Sequence, residues 1–204
     1  MPAVAASLLF LPLFALRHLG PFDFWWWMAA NIVILCSLGL MLDSSFWPHL
    51  RRDFGLDVAK KMALGILTAG ILYLFFFAGN FFVRSLFPSG SAGINEIYSF
   101  KSSASILRVT LLIALLIGPG EEVFWRGLFQ RRLEGRYGFP AAWLAASGLY
   151  AAVHLSSGNI VLVAAAFACG LYWGVLYRRY RSVLLIATSH TVWDVLIFLV
   201  LPLD

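Results

Sequence analysis

Apolar residues dominate the sequence in long runs that short polar segments interrupt. Seven of these runs predict helices that cross a lipid bilayer, since each crossing takes about 20 mostly apolar residues. The polar segments between them are mostly short, which favours a single compact bundle. The predicted spans are residues 3–16, 24–42, 62–83, 106–130, 140–155, 159–177 and 183–200.

Composition strengthens this prediction. Of 204 residues, 61% are hydrophobic and 12% are charged, whereas soluble domains have roughly 45–50% apolar and 25% charged residues. A soluble fold of this length cannot bury so much apolar surface. We therefore predict an all-α fold, a polytopic transmembrane helical bundle that forms one membrane domain over residues 1–204. Residues 1–105 are predicted to be a generic membrane-spanning half, and residues 106–200 a core that carries the chemistry.

Local features refine the picture of the apolar runs. The run 3–16 has no preceding basic residue and no small-residue cleavage site, so we predict a spanning helix rather than a removable signal peptide. The tryptophans 25–27 open the second span and are predicted to lie in an interfacial aromatic belt. Cys36 and Cys169 are predicted to be buried small hydrophobes rather than a disulfide. The longest connection is predicted to be a Gly/Ser-rich loop, with Pro88, Ser89, Gly90, Ser91 and Gly93.

Basic residues are distributed unequally between the two sides of the predicted bundle. The net charge of +5 is spread over short clusters, which argues against a basic face that binds nucleic acid. The positive-inside bias places the amino terminus in the cytoplasm, and the compact size favours a bacterial inner membrane. The basic side holds Arg51, Arg52, Lys60, Lys61, Arg131, Arg132, Arg136, Arg178, Arg179 and Arg181, and the other side holds Arg17, Arg84, Lys101 and Arg108.

Three acidic residues lie inside predicted spans, where an ionisable group costs roughly 2.5 to 3.5 kcal/mol and needs polar partners. Glu122 and Arg126 are four residues apart and share a helix face, which predicts a buried ion pair. Glu121 is rotated away from them by about 100° and can point elsewhere. Pro119 and its flanking glycines are predicted to loosen the helix and to let water or a substrate approach. Asp194 is the third acidic residue.

Two histidines supply the matching partners. Tyr150 and His154 are four residues apart on the fifth span, and His190 and Asp194 are four apart on the seventh. Counted at 1.5 Å per residue, these groups and Glu121 lie roughly 11 to 21 Å from the basic ends of their spans. This similar depth predicts a shared polar cavity within the membrane, although each pair alone could be a structural contact of the core.

Together these residues resemble the motifs of the CPBP family of intramembrane proteases, which includes the CAAX prenyl endopeptidases of the Rce1 type. The resemblance covers about the last hundred residues. Three motifs in this order, each on its own span, are specific, whereas any one alone is weak. The motifs are Glu-Glu-x-x-x-Arg, met by Glu121, Glu122 and Arg126; Phe-x-x-x-His, met as Tyr150 to His154; and His-x-x-x-Asn or Asp, met as His190 to Asp194.

The resemblance implies how the motif residues act. Glu121 and His154 would activate a water for attack on a peptide carbonyl, and His190 with the residue at 194 would steady the oxyanion. Asp194 stands where the CAAX-type members have asparagine. An ionised carboxylate would repel an oxyanion, so we predict that Asp194 instead orients His190 or is itself protonated.

The resemblance also implies supporting roles for three residues. Arg126 would hold Glu122 and so fix the geometry of the helix. Tyr150 replaces a phenylalanine, and its hydroxyl needs a hydrogen-bond partner if it is buried. The close spacing of Gly170 and Gly174 predicts tight packing between helices.

The predicted function is that of an intramembrane endopeptidase, which cuts a membrane-associated peptide or protein near its carboxyl terminus within the lipid bilayer. A zinc-dependent variant stays open, because two histidines and carboxylates can form a ligand set. The compact His-Glu-x-x-His motif is lacking, so no cofactor is assigned. The alternative is a non-catalytic membrane protein, either a proton-coupled transporter or an immunity-type scaffold. The lack of an internal repeat disfavours the transporter.

Overall fold

The computed structural model describes residues 2–43, 45–86, 88–99 and 104–203. Within these residues the fold is all-α, apart from one antiparallel pair in which β1 (His18–Leu19) faces β2 (Phe22–Asp23). Lys101, one of the basic residues used to predict orientation, lies outside the described residues. The helices are α1 (Pro2–Leu16), α2 (Phe24–Leu42), α3 (Phe46–Gly55), α4 (Val58–Leu86), α5 (Pro88–Ser99), α6 (Ile106–Leu112), α7 (Gly118–Glu122), α8 (Arg131–Tyr137), α9 (Phe139–Ala152), α10 (Ile160–Tyr180) and α11 (Val183–Val195).

Several helices are joined without a break by wider or tighter turns. Residues 106–137 form one helical run, in which the π-helical segments Ile113–Ile117 and Val123–Gln130 lie on either side of α7. A third π-helical segment, Leu196–Val200, extends α11, and a short 3-10 helix, Leu155–Ser157, follows α9. These irregular segments surround the polar residues that the sequence singles out.

The fold is that of a polytopic membrane protein. Among the described residues, four helical stretches are long and apolar enough to cross a membrane: α2, α4, α10 and the run Val183–Val200. The apolar helix α1 is shorter. Helices satisfy their own backbone hydrogen bonds, which is why lipid accepts them where it excludes open loops. The predicted all-α transmembrane bundle is therefore confirmed.

The prediction of a Gly/Ser-rich loop between the third and fourth spans is wrong, because residues 88–99 form α5. Its glycines and serines favour turns, but α5 has an apolar face that packs against α4 and α10. Ile94 and Tyr98 on this face are each 9% exposed. Tertiary packing has thus overridden local propensity.

The basic connection predicted between the second and third spans also contains a helix, α3. Asp53 on α3 is buried, accepts a hydrogen bond from the backbone N–H of Leu184 at 2.9 Å and pairs with Lys61 at 2.8 Å. This acidic residue therefore caps the first turn of α11 and ties it to the start of α4, a structural role that its position in a predicted loop did not indicate.

The interfacial prediction for the tryptophan triplet is wrong for Trp25. Its side chain is 5% exposed and contacts the rings of Phe24 and Phe198 inside the bundle. Trp26, by contrast, is 44% exposed. The helix period turns neighbouring residues by about 100°, so a triplet cannot keep all three rings at one surface. The two cysteines are free thiols, and Cys169 is buried, as predicted.

Glycines allow α9 and α10 to lie close together, as the spacing predicted. A Cβ atom at Gly170 would lie 3.0 Å from Ser147, and one at Gly174 would lie 2.6 Å from the ring of Trp143. The backbone carbonyls of both glycines accept hydrogen bonds from the helical run 106–137, Gly170 from Arg126 and Gly174 from Gln130. This contact fixes the motif helix against α10.

Candidate active site

The two adjacent glutamates lie in a distorted stretch of helix. Pro119 has no N–H for the helix ladder and its ring crowds the preceding turn, which the wider π-helical segment Ile113–Ile117 accommodates. The distortion lies directly before Glu121 and Glu122, so the proline sets the direction in which both carboxylates leave the helix.

The glycines that flank Pro119 serve close packing rather than access for water. A Cβ atom at Gly118 would lie 2.6 Å from the Thr191 hydroxyl on α11, and one at Gly120 would overlap the side chain of Ile32 on α2. The prediction that these glycines open the helix to water or substrate is therefore wrong for the faces they occupy. They bring α7 close enough to α11 for its glutamates to reach His190.

Glu122 is fully buried and makes two charged contacts. Its Oε1 atom accepts a hydrogen bond from Nη1 of Arg126 at 2.7 Å, as predicted, and lies 2.7 Å from Nδ1 of His190. The Arg126 guanidinium also lies over the rings of Tyr150 and Trp173, at 5.0 and 5.5 Å from their centroids. The contact from Glu122 to His190 was not predicted from the sequence.

Glu121 is 4% exposed and points away from the ion pair. The hydroxyl of Tyr150 donates a hydrogen bond to its Oε2 atom at 2.8 Å, which supplies the partner that a buried tyrosine needs. The same Oε2 atom lies 3.8 Å from Nε2 of His190. Among the described residues, the Oε1 atom of Glu121 has no hydrogen-bond partner, so it can accept one from a water.

His190 is held between three carboxylates and an aromatic ring. Its Nδ1 atom faces Glu122, which can only accept a hydrogen bond, while its Nε2 atom lies 3.4 Å from Oδ2 of Asp194. The imidazole stacks on Trp173, with centroids 3.8 Å apart and planes at 23°. Trp173 is fully buried and donates a hydrogen bond to the Ser189 hydroxyl at 3.2 Å. The orientation of His190 is therefore fixed on every side described.

His154 lies in the turn after α9 rather than inside the predicted span, since α9 ends at Ala152. Its Nδ1 atom lies 2.7 Å from the backbone carbonyl of Tyr150, which can only accept a hydrogen bond. The proton of a neutral imidazole therefore sits on Nδ1, and Nε2 is left as an acceptor. The ring also packs on Phe14, with centroids 4.3 Å apart.

One cavity of about 350 Å³ joins the predicted catalytic residues. Glu121, His154, His190 and Asp194 all line it, and Tyr150 lines it as well, whereas Glu122 and Arg126 do not. Most of the remaining lining is apolar and comes from α2, α4, α5, α10 and the end of α11. The structure thus brings five of the seven motif residues onto one cavity whose remaining lining is mostly apolar.

The arrangement of possible metal ligands bears on the zinc variant. Within the described ranges, no group of three or more His, Cys, Asp or Glu side chains has an arrangement that could hold a metal ion. Nδ1 of His154 is directed to a backbone carbonyl and Nδ1 of His190 to Glu122, so these two nitrogens do not converge on one point.

The comparison with protein families adds an independent finding about the same residues. Residues 102–196 match one protein-family model. The family model that matches this range is described as Type II CAAX prenyl endopeptidase Rce1-like, and the range contains every motif residue from Glu121 to Asp194. The resemblance predicted from the motifs is therefore confirmed. The match supports an intramembrane protease of the CAAX type within an integral membrane protein. No curated protein and no solved structure matches the chain significantly.

Sequence reasoning missed two features of the site. Trp173, which stacks on His190, lies in a long apolar run, where nothing in the sequence separates it from other core aromatics. Asn80 lines the same cavity and did carry a signal, because it is an amide inside the predicted span 62–83. A polar residue in a span calls for a partner, which makes an uncharged amide at this position a signal of a polar site.

Proposed function

We propose that the chain is an intramembrane endopeptidase that hydrolyses a peptide bond near the carboxyl terminus of a membrane-associated substrate. The observation that carries this proposal is the convergence of Glu121, His154, His190 and Asp194 on one cavity. Three separate helical regions supply these groups, although each ionisable side chain is costly inside a membrane. The Rce1-like match of residues 102–196 supports the same reaction class.

Glu121 is the proposed general base. Its Oε2 atom is held by Tyr150, which leaves Oε1 to take a proton from a water as the water oxygen attacks the peptide carbonyl carbon. Nε2 of His154, as an acceptor, would position the same water. The C–N bond then breaks, and the proton held by Glu121 passes to the leaving amine, so that water and peptide become an acid and an amine.

His190 is the proposed donor to the oxyanion. Glu122, itself neutralised by Arg126, holds Nδ1 of His190, and the carboxylate of Asp194 lies beside Nε2. A protonated imidazole fixed in this way is a preorganised hydrogen-bond donor for developing negative charge. We propose that the negative charge of Asp194, whose Oδ2 lies 3.4 Å from Nε2, keeps the imidazole protonated, while the Nε2–H donates to the oxyanion. Asp194 itself does not contact the oxyanion, since a carboxylate cannot donate.

The apolar lining of the cavity suits a substrate that carries a lipid or aliphatic group. The test is hydrolysis of a farnesylated peptide by the purified full chain in lipid vesicles, with products identified by mass spectrometry. Glu121→Gln keeps the shape of the side chain but removes the base, and it should lower kcat by about 10² to 10⁴. The matched control is Glu134→Gln, because Glu134 pairs with Arg178 and Arg181 outside the cavity.

Equal turnover by Glu121→Gln and the control would refute the proposed chemistry. A chelator arm separates the glutamate mechanism from the zinc variant. We expect turnover to survive chelation and the protein to hold zinc well below one equivalent, because no group of three or more His, Cys, Asp or Glu side chains among the described residues is arranged to hold a metal ion. Loss of turnover on chelation and its return with zinc would assign a metal enzyme.

A further inference from the structure

A second group of polar side chains lies at the edge of the same cavity, away from the motif residues. Tyr73, Asn80 and Arg84 are spaced by seven and four residues on α4, so they share one face of that helix. Tyr98 reaches the same place from α5. We call these four side chains the backbone-binding cluster. All four lie outside the Rce1-like range 102–196.

The backbone-binding cluster holds the non-helical segment Leu201–Leu203, which follows α11. Every contact is with the main chain of that segment. The hydroxyl of Tyr73 donates to the Leu201 carbonyl at 3.0 Å, and the Leu203 N–H donates to the hydroxyl of Tyr98 at 2.8 Å. The Leu203 carbonyl accepts from Nδ2 of Asn80 at 3.1 Å and from Nη2 of Arg84 at 2.9 Å.

The cluster is itself preorganised for this contact. Nε of Arg84 donates to Oδ1 of Asn80 at 2.9 Å, which turns the Nδ2 donor of the amide towards the Leu203 carbonyl. Tyr98 is 9% exposed, and its hydroxyl donates to the Ile197 carbonyl at 2.9 Å. Side chains that are fixed before a peptide arrives lose little entropy when they bind it.

The held segment forms part of the wall of the cavity that the proposed reacting groups also line. The side chain of Leu203 is 9% exposed and lines the cavity together with Glu121 and His190. Ile197, the contact of Tyr98, lies three residues after Asp194, which is less than one turn of helix. A short apolar segment, held through its main chain by the cluster and through the Leu203 side chain by the hydrophobic core, therefore lines the same cavity as the proposed reacting groups.

We infer, resting on the function proposed above, that the backbone-binding cluster is the subsite that holds the main chain of the peptide substrate. The segment Leu201–Leu203 occupies this subsite when no substrate is bound and must leave before a substrate enters. Recognition through main-chain groups tolerates many side chains, as in strand-addition modes of peptide binding. The cluster would thus fix the direction of the peptide, while the cavity selects apolar side chains.

The test is direct binding of a fluorescein-labelled, amide-capped Leu-Pro-Leu peptide to the full chain in detergent, followed by fluorescence anisotropy. Leu203→Arg puts a cation into an apolar cavity and against Arg84, so the segment should be expelled while the cluster stays intact. We expect this variant to bind the peptide about tenfold more tightly than the unsubstituted chain, because the competing segment is gone. Leu203→Gly, which only removes the apolar anchor, serves as a second variant if the first does not fold.

The backbone-binding cluster is then tested in the Leu203→Arg background, in which the segment Leu201–Leu203 should no longer occupy the subsite. Asn80→Leu should weaken peptide binding by about tenfold, since a buried carbonyl partner is lost. Phe82→Leu is the control, because Phe82 is 60% exposed and lies about 200° around α4 from Asn80. If the folded variants at Leu203 and at Asn80 all bound the peptide with the affinity of the unsubstituted chain, the inference would be overturned.

Turnover of the farnesylated peptide is measured on the same samples. If the chain hydrolyses the farnesylated peptide but its affinity for the labelled peptide does not depend on Asn80, the subsite is refuted and the peptidase function is not. Affinity that depends on Asn80 without turnover in any form would refute the peptidase function and leave a peptide-binding site.

Discussion

The cavity has two walls of different character. The motif wall consists of α7, the turn after α9 and α11, and it supplies the buried acid and imidazole groups that contact one another. The opposite wall consists of α4 and α5, and its backbone-binding cluster holds the main chain of Leu201–Leu203. The motif wall falls within the Rce1-like range, whereas the opposite wall lies before it.

In the proposed function, this difference separates two physical tasks. Bond hydrolysis needs particular side chains at close distances, so its residues form short motifs with fixed helical spacing. Binding a peptide main chain needs only donors and acceptors in the right place, and many side chains can provide them. The two walls should therefore fail differently: changes in the motif wall should lower kcat, and changes in the opposite wall should raise KM.

The largest expected effect, after removal of Glu121, comes from His190 on the motif wall. His190→Ala removes the proposed oxyanion donor and leaves Glu122 paired with Arg126 alone. We expect kcat to fall by about 10² to 10³, with KM changed little. The measurement is steady-state turnover of the farnesylated peptide. If the affinity for the substrate fell while kcat was preserved, His190 would act in substrate binding, like the residues of the opposite wall.

Asn80 gives the next effect, on the opposite wall. In the Leu203→Arg background, Asn80→Leu should raise KM by about tenfold with kcat unchanged, since one hydrogen bond to the bound main chain is lost in both the ground state and the transition state. The same steady-state assay measures it, with Phe82→Leu as the control. A fall in kcat equal to the change in kcat/KM would place Asn80 among the transition-state contacts and remove the contrast between the walls.

The smallest effect concerns the position of α5, which carries Tyr98. Glu96 accepts hydrogen bonds from Arg17 at 2.6 Å and from Asn159 at 3.0 Å, and both side chains of the ion pair are more than a third exposed. Glu96→Gln should therefore lower the free energy of unfolding by only about 0 to 1 kcal/mol. The shift in thermal unfolding midpoint measures this loss, and an unchanged kcat is expected.

The same ion pair predicts a pH dependence. The hydrogen bond from Arg17 lowers the pKa of Glu96 below its ordinary value. The stabilisation is therefore complete above the ordinary carboxyl pKa, about 4.3, and is lost as the pH falls through the lower pKa of the folded protein. Glu96→Gln should remove this part of the acid sensitivity, and an identical acid profile for both proteins would contradict it.

Much of the motif wall was readable from the sequence. Glu122 and Arg126 are four residues apart on a helix, so their ion pair follows from helical geometry. The rotation of Glu121 away from that pair follows from the same period. The prediction that both histidines and Glu121 share one cavity followed from counting residues from the ends of the spans, and all three line one cavity. Each of these is a local relation, or one that the membrane imposes by its thickness.

The rest depends on which surfaces meet. The contact between Glu122 and His190 joins residues 68 positions apart, and it exists because Gly118 lets α7 approach α11 closely. Residues 88–99 form a helix rather than the predicted loop because the apolar face of this helix packs against α4 and α10.

The sequence alone determined the all-α membrane bundle and the helical spacing of the residues to which we assign the proposed hydrolysis, because apolar run length and helical spacing act over short stretches of chain. Only the tertiary structure decided how His190 is oriented and which side chains meet Leu203. Those relations depend on side-chain volumes at helix contacts, which no short pattern records.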